Sequence, residues 1–359
     1  MYSLFETVKQ IASPDNDAIK QAWIKLNGLS KPVGSLGKLE EIAAKMAGIT
    51  GRLDNKINKK TIIIMCADNG VCDEGISSCP QDVTATVTRN FLKGITGVCV
   101  LARTAKADIT VVDIGVKENF TEKEIINRKL MYGTNNIRFG QAMPRETAIK
   151  AIETGIEMVD DLVSKGYNLF GTGEMGIGNT TTAAAVLCVL SGMDPEIVVG
   201  KGAGLTDDQL QNKKRVVADA LKVNSPFDGD TIDILAKVGG LDIAGMCGSF
   251  IGAAKNRVPI VIDGFISSVA ALCAIKLNPE IKGFIFPSHL SAEHGAKYVM
   301  EKLQLEPMLN MDMRLGEGTG CALEFMIIEA ALNIINEMPT FEEAEIEKGD
   351  YLNVWDATN

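Results

Sequence analysis

Basic charge is what this chain lacks first: Lys and Arg total 36 against 46 acidic residues, a formal net charge of −10. That deficit removes the electrostatic footprint of a nucleic-acid-binding protein and leaves room only for a local basic pocket. Metal-ligand spacing is missing as well. The only two histidines, His289 and His294, flank Glu293 in "HLSAEH", which fits neither HExxH nor HxxEH. No metal is expected, and His289 is left to bond either a ligand or neighbouring backbone. None of the eight cysteines stands in a CxxC pair, and several lie in apolar runs such as Thr61–Cys66, the usage of reduced core thiols in a cytosolic protein. The opening "MYSLFETVKQIASPDND" has acidic residues and no basic-then-apolar order, so a signal peptide is not expected. The apolar run Val258–Ile275 is broken by Asp263, Gly264 and two serines, which argues against a membrane span. No repeat or low-complexity segment is present. These absences describe a cytoplasmic protein that avoids both nucleic acid and membrane.

What is present is a succession of short, continuous apolar runs, each the pattern of a strand buried on both faces. They are "TIIIMCA" (61–67), "DITVVDIG" (108–115), "YNLFG" (167–171), "EIVVG" (196–200), "PIVIDG" (259–264) and "GFIFPS" (283–288). Helical patterns lie between most of them. After Pro144, Ile149, Ile152, Ile156, Val159 and Val163 fall on one face; further helices are expected over 2–50, 180–192, 206–223, 241–255, 264–277, 292–303 and 321–338, and 118–136 reads as a surface connection. Strands alternating with helices imply an α/β protein with a mainly parallel, doubly wound sheet, whose ligand crevice lies beyond the carboxyl ends of its strands.

The segments at those ends are rich in Gly, Asp, Ser and Asn: "ADNG" (67–70), "GTGEMGIGNTT" (171–181), "GKGAG" (200–204), "DGFISS" (263–268), "PSHLSAEHG" (287–295) and "RLGEGTG" (314–320). Such residues serve tight turns or a composite polar site, and six loops together favour the site. Gly171, Gly173 and Gly176 match the dinucleotide fingerprint GxGxxG, which would suit an NAD-dependent oxidoreductase, but the segment after the next apolar run, Lys201–Gly204, offers no acidic residue for a ribose. Read from Gly173, the loop has triphosphate-loop spacing with Asn179 in place of the lysine. A single phosphate held by backbone amides and a lysine from elsewhere, Lys201 or Lys213, remains. Two carboxylates sit in these glycine-rich loops, Glu174 and Glu317. Glu317 reads either as a carboxylate favoured by a helix N-terminus or as a group presented to a ligand, and the pair suits acid/base work at a sugar carbon.

Taken in order, "KPVGSLGKLE" (31–40), "MCADNGVCDEG" (65–75), "TGVCVLA" (96–102), "GTGEMGIGNTT" (171–181), "KVGGLDIAGM" (237–246), "DGFISS" (263–268), "PSHLSAEHG" (287–295) and "MRLGEGTGCAL" (313–323) resemble the nicotinate-nucleotide:dimethylbenzimidazole phosphoribosyltransferases. The resemblance implies transfer of ribose 5-phosphate from nicotinate mononucleotide to a benzimidazole-type base, with inversion to an α-riboside and no cofactor or metal. It implies a Rossmann-like sheet domain over 55–315, a small helical domain from both chain ends (1–54 plus 316–359), and a homodimer. By the same resemblance Glu317 is the general base and Glu174 a second carboxylate near the reacting sugar. Gly176, Gly202, Lys213 and Ser291 gather around the 5′-phosphate, with Gly178, Asn179, Thr180, Arg314 and Gly316 as further nucleotide contacts. Cys79, Thr86, Val87 and Leu315 are expected beside the base. The sequence departs from the family at Asn69, where histidine is usual in "ADHG", and at Cys79 and the Thr86–Val87 pair, which replace polar residues.

Overall fold

A computed structural model of the chain describes residues 3–227 and 229–347. The apolar runs become a six-stranded parallel sheet: β1 (Lys60–Ala67), β2 (Asp108–Gly115), β3 (Ile126–Asn127), β4 (Leu169–Met175), β5 (Ile260–Ile262) and β6 (Ile285–Pro287), in the order β3-β2-β1-β4-β5-β6. Every residue of β1 is buried, as its isoleucine run requires of a strand covered on both faces.

The helices, in chain order, are α1 (Leu4–Gln10), α2 (Asn16–Asn27), α3 (Lys38–Thr50), α4 (Val83–Leu92), α5 (Gly97–Ala105), α6 (Arg145–Ser164) and α7 (Asn179–Ser191). They continue with α8 (Pro195–Val198), α9 (Asp207–Asn224), α10 (Thr231–Val238), α11 (Leu241–Lys255), α12 (Phe265–Leu277), α13 (Ala296–Leu303) and α14 (Thr319–Glu337). Starts are written in the sequence as side-chain caps: Ser3 with Glu6 and Thr206 with Gln209 form capping boxes, which satisfy first-turn N–H groups that would otherwise be unpaired. Where α6 crosses α11, a methyl on Gly155 would stand 2.0 Å from Gly245 O, so glycine there sets the helix–helix distance.

Three sequence expectations change. "EIVVG" is not a strand but α8, capped by Asp194 with Pro195 in its first turn, a start signal that outweighs a run of three apolar residues. The sixth strand is instead β3, inside 118–136, where two residues pair with Val112 and Asp113 at the sheet edge. β4 runs on to Met175, so Gly171 and Gly173 lie within a strand, not in a turn. The register sets Gly171 beside Ile62 and Gly173 beside Ile64. Methyls there would meet Cys321 Cβ at 2.6 Å and Glu317 O at 2.3 Å. These two glycines are the seat for the start of α14.

Strand order reverses between β1 and β4, the topological switch point where open α/β sheets bind ligands. α11 packs on β1, β2 and β4, while α14 packs on β4, β5, α3 and α5. Because alternate residues of a strand face opposite sides, Gly173 faces α14 and Glu174 faces the side of α11. α14 is the one helix among the described residues long and apolar enough to cross a bilayer, and Cys321, Phe325, Ile328, Leu332 and Ile335 along it are buried in the core. Val258–Ile275 is a strand, a turn and a helix.

Candidate active site

The segments after β4, β5 and β6, with 201–205 and 314–317, enclose one cleft of about 270 Å³; Ile76, Ser77, Ser78 and Val87 form its side. α7 and α12 start beside it at Gly178 and Gly264 without a side-chain cap, whereas the start of α14 at Gly318 is bound by the Asp263 carboxylate. The two uncapped N-termini give this space the positive end of the helix dipole.

One end of the cleft is built for an anion. Lys213 comes from α9 and is 1% exposed, and its Nζ donates to Thr180 Oγ1 at 2.7 Å. Gly202 closes the group: a methyl on it would stand 3.1 Å from Thr180 Oγ1 and 3.5 Å from Lys213 Nζ. Burial pushes the Lys213 ammonium down to about 8, partly offset by the Glu293 carboxylate, so the ammonium keeps its proton at neutral pH. Glu293 is buried and accepts from Gly202 N at 3.1 Å, while its own N–H donates to Ser291 Oγ at 3.2 Å.

The other end is acidic. Glu174 accepts from the Asn179 carboxamide and, at 3.3 Å, from Glu317 N. Glu317 accepts from Val98 N at 3.1 Å, and its backbone is left-handed at φ +63° between Gly316 (+81°) and Gly318 (+100°). A non-glycine residue held in that region is strained, and such strain collects at functional sites. Asp263, after β5, accepts from Gly318 N at 2.9 Å and Gly320 N at 2.7 Å, so one carboxylate ties down the loop that presents Glu317. Asn179 also donates to Asp242 at 2.9 Å.

The partners of all four carboxylates are amide N–H groups rather than cations. Each is accordingly harder to ionise than usual. Burial drives Glu174 up to about 8, against the Asn179 bond and with help from the Asp242 charge. Burial likewise takes Asp263 to about 7 and Asp242 to about 6, and it raises Glu317 against the bonds from Val98 and Gly97. An anion pocket at one end and poised carboxyl groups at the other can hold a phosphorylated sugar by its phosphate and exchange charge and protons at its far carbon.

Residues 11–346 match a family model described as phosphoribosyltransferase. The nicotinate-nucleotide–dimethylbenzimidazole phosphoribosyltransferase of Clostridium tetani is 55% identical over 98% of this chain and 97% of its own length. The protein of the same name from Clostridium acetobutylicum is 54% identical over 95% of this chain and 97% of its own. The chain belongs to this phosphoribosyltransferase family. The crystal structure of CobT from Thermus thermophilus superposes with a TM-score of 0.89 at 36% identity, covering 93% of this chain and 100% of that one.

Set against this phosphoribosyltransferase framework, most of the singled-out residues line one cleft: Glu174, Gly176, Gly178, Asn179, Thr180, Gly202, Lys213, Ser291, Arg314, Leu315, Gly316, Glu317 and Val87. Arg314 and Leu315 are exposed at its rim. Lys201 also reaches it, but is exposed and paired with Asp207 at 2.6 Å. Cys79 and Thr86 are not among the lining residues; the Thr86 hydroxyl donates back along α4 to Asp82 O. Gly176 packs inward, where a methyl would stand 2.3 Å from Ala67 O. His289 is buried beside Ser288, 3.1 Å away, and is not itself part of the lining. The dinucleotide reading falls with its first two glycines, which lie inside β4. Two residues escaped the sequence reading, Asp242 and Asp263. Their signal was a lone carboxylate within two residues of a glycine at a strand end or helix start, in "GGLD" and "IDGF".

Proposed function

We infer that the protein transfers ribose 5-phosphate from nicotinate mononucleotide to 5,6-dimethylbenzimidazole or a related base. The products are nicotinate and the α-riboside 5′-phosphate, by inversion at the anomeric carbon. The observation that carries the reading is the polarity of the cleft: a buried lysine at one end, and two carboxyl groups without cationic partners at the other.

Lys213, Thr180, Gly202 and Ser291 hold the 5′-phosphate, with the start of α7 and Arg314 adding positive potential. That leaves the sugar's anomeric carbon toward Glu174. The leaving pyridinium is cationic, and a cation entering beside Glu174 draws off its proton, so the carboxylate faces the carbon as it becomes electron-poor. A ring nitrogen of the base attacks that carbon from the opposite side. The bond to nicotinate breaks, and its electron pair neutralises the pyridinium nitrogen. Glu317 takes the N–H proton of the base; burial makes it a stronger base at neutral pH than an ordinary carboxylate. Val87 and Leu315 supply apolar surface for the base. No step calls for a redox cofactor or a metal.

On the same reading the chain divides into a large α/β domain over 55–315 and a small helical domain from 1–54 and 316–359. The mutual packing of α2, α3 and α14 supports that division; residues 1, 2 and 348–359 lie outside the described residues. The enzyme works in the cytoplasm as a homodimer and binds neither nucleic acid nor membrane. Exposed Ile95, Val100 and Leu315 near the cleft suit a subunit contact, which sedimentation velocity tests.

The deciding assay incubates the protein with nicotinate mononucleotide and 5,6-dimethylbenzimidazole, then identifies products by mass and the anomeric configuration by NMR. Release of nicotinate with stoichiometric α-riboside is expected. Binding of both compounds without nicotinate release would mark a sequestering protein instead.

A further inference from the structure

The run "KVGGLDIAGM" has no part in the chemistry above, yet it places Asp242, fully buried, behind the reacting end of the cleft. A single nitrogen, Asn179 Nδ2, donates to both Glu174 Oε2 and Asp242 Oδ2. Since a carboxamide has two N–H bonds, one to each carboxylate uses both and fixes the amide plane. Asp242 itself is held tightly. Its Oδ1 accepts from Ile243 N at 3.0 Å. Methyls on Gly240 and Gly176 would stand 2.3 Å from Oδ1 and 3.0 Å from Oδ2. Two glycines thus give the carboxylate a fitted seat. The buried Asn69 lies against the same two glycines, its Nδ2 without a hydrogen-bond partner.

We propose that Asp242 is a positioning residue for the transfer, acting on Glu174 through the shared Asn179 carboxamide. It does two things from outside the cleft. It orients the amide that orients Glu174, and its negative charge opposes ionisation of Glu174 until a cationic reactant arrives. The other groups facing Glu174 do not substitute for it. Asp263 is engaged with Gly318 and Gly320, Glu317 meets Glu174 through its backbone N–H, and Cys66 on β1 has its thiol driven upward by burial and stays neutral. The role rests on the transfer reading for its chemistry, but not for its electrostatics.

The test compares wild type, Asp242→Asn and Asn179→Ala, with folding checked by circular dichroism. In the free enzyme kcat/KM for nicotinate mononucleotide rises with pH as Glu174 ionises. Asp242→Asn removes a like charge and moves that limb down by about one pH unit. Asn179→Ala removes a bond that favours the carboxylate and moves it up. Asp242→Asn also lowers kcat by about tenfold or more through misplacement, with KM for the nucleotide within about twofold. Adding it to Asn179→Ala changes kcat by less than about twofold, because the linkage is already broken. Difference infrared spectroscopy against Glu174→Gln reads the same titration without substrate, so failure of the transfer reading leaves this test intact. An unmoved limb and unmoved infrared titration in Asp242→Asn, or additive losses in the double variant, overturn the proposal. Should Asp242→Asn fail to fold, the upward shift in Asn179→Ala carries the test, and an unmoved titration there overturns it.

Discussion

Two buried carboxylates in this protein are held in opposite ways. Glu40, fully buried at the start of α3, meets Lys31 Nζ at 2.8 Å and accepts from Leu36 N at 2.9 Å, closing the turn written as "KPVGSLGKLE". Glu174, buried at the end of β4, has only amides for partners and other carboxyl groups for neighbours. The first arrangement supplies its own cation and is finished when the chain folds. The second lacks one, and on the proposed mechanism a cationic reactant completes it. Both runs look alike in the sequence, glycine-rich and carboxylate-bearing, so the presence of a buried counter-charge is what separates a structural clamp from a reactive site.

The largest effect should come from the reactive side. Glu317→Gln keeps size and hydrogen bonding but removes the base, and kcat should fall by about 10² to 10⁴ with nucleotide binding and melting temperature nearly unchanged. Retention of more than about a tenth of wild-type kcat would remove Glu317 from the role of base. On the structural side, Lys31→Met leaves Glu40 as an uncompensated buried charge, a loss of about 3–5 kcal/mol measured by denaturant unfolding. Lys31→Met with Glu40→Gln should recover much of it, since the glutamine still accepts from Leu36 N. If both variants unfold alike, the pair is not what closes the turn.

Between these lies Gly173→Ala. Its methyl would fall 2.3 Å from Glu317 O and push the strained loop off β4. Displacement of about an ångström costs about a hundredfold in rate, so kcat should fall by that order while KM for the nucleotide, set at the far end of the cleft, stays within about threefold.

Gly173 also shows where the sequence was legible and where it was not. Apolar runs and helix caps gave the sheet, its parallel sense and most helices, because burial and capping act over a few neighbouring residues. The run "GTGEMG" was read as a turn because glycine permits turns, but these glycines admit a loop from Glu317, more than a hundred residues on. "EIVVG" failed for the opposite reason, a local Asp-Pro start outweighing its apolar pattern. Which carboxylates would share Asn179 could not be read at all, since 179 and 242 meet only because α7 and α11 both start at the carboxyl end of the sheet. The resemblance named Glu174 and Glu317, which line the cleft, and left Asp242 and Asp263 beside them without a role.

A smaller effect follows from proton linkage. Glu174, Asp263 and Asp242 have carboxyl groups raised to about 8, 7 and 6 in the fold, from 4.5, 3.8 and 3.8. The folded protein therefore holds their protons more tightly than the unfolded chain does. Their contribution is fully present below the unfolded values and is lost as pH rises through the folded ones. Lys213 and Lys45, lowered to about 8, retain their protons over most of that window. The ligand-free melting temperature should drop by several degrees between pH 5 and about 8. Glu174→Gln should flatten part of the slope, and nicotinate mononucleotide should offset it. A flat profile would mean that water or a counter-ion already satisfies the cleft.

The weakest expected effect belongs to the apolar side of the cleft, where shape rather than charge does the selecting. Val87 is half-buried on α4 and lines the cleft, while Cys79 and Thr86 do not. If the methyl groups of 5,6-dimethylbenzimidazole rest on Val87, Val87→Ala removes a partly buried contact with a value of about 0.8 kcal/mol per CH₂. Because burial is incomplete, kcat/KM for the dimethyl base should fall by only about fivefold, and for unsubstituted benzimidazole by less. The contrast with the acidic floor is then quantitative: trimming the wall reweights bases against one another, whereas neutralising Glu317 stops transfer to all of them. Competition between the two bases in one tube gives the ratio directly. If Val87→Ala lowers both bases by the same factor, Val87 supports the 76–78 loop rather than the base, and the selecting surface lies at Leu315 on the rim.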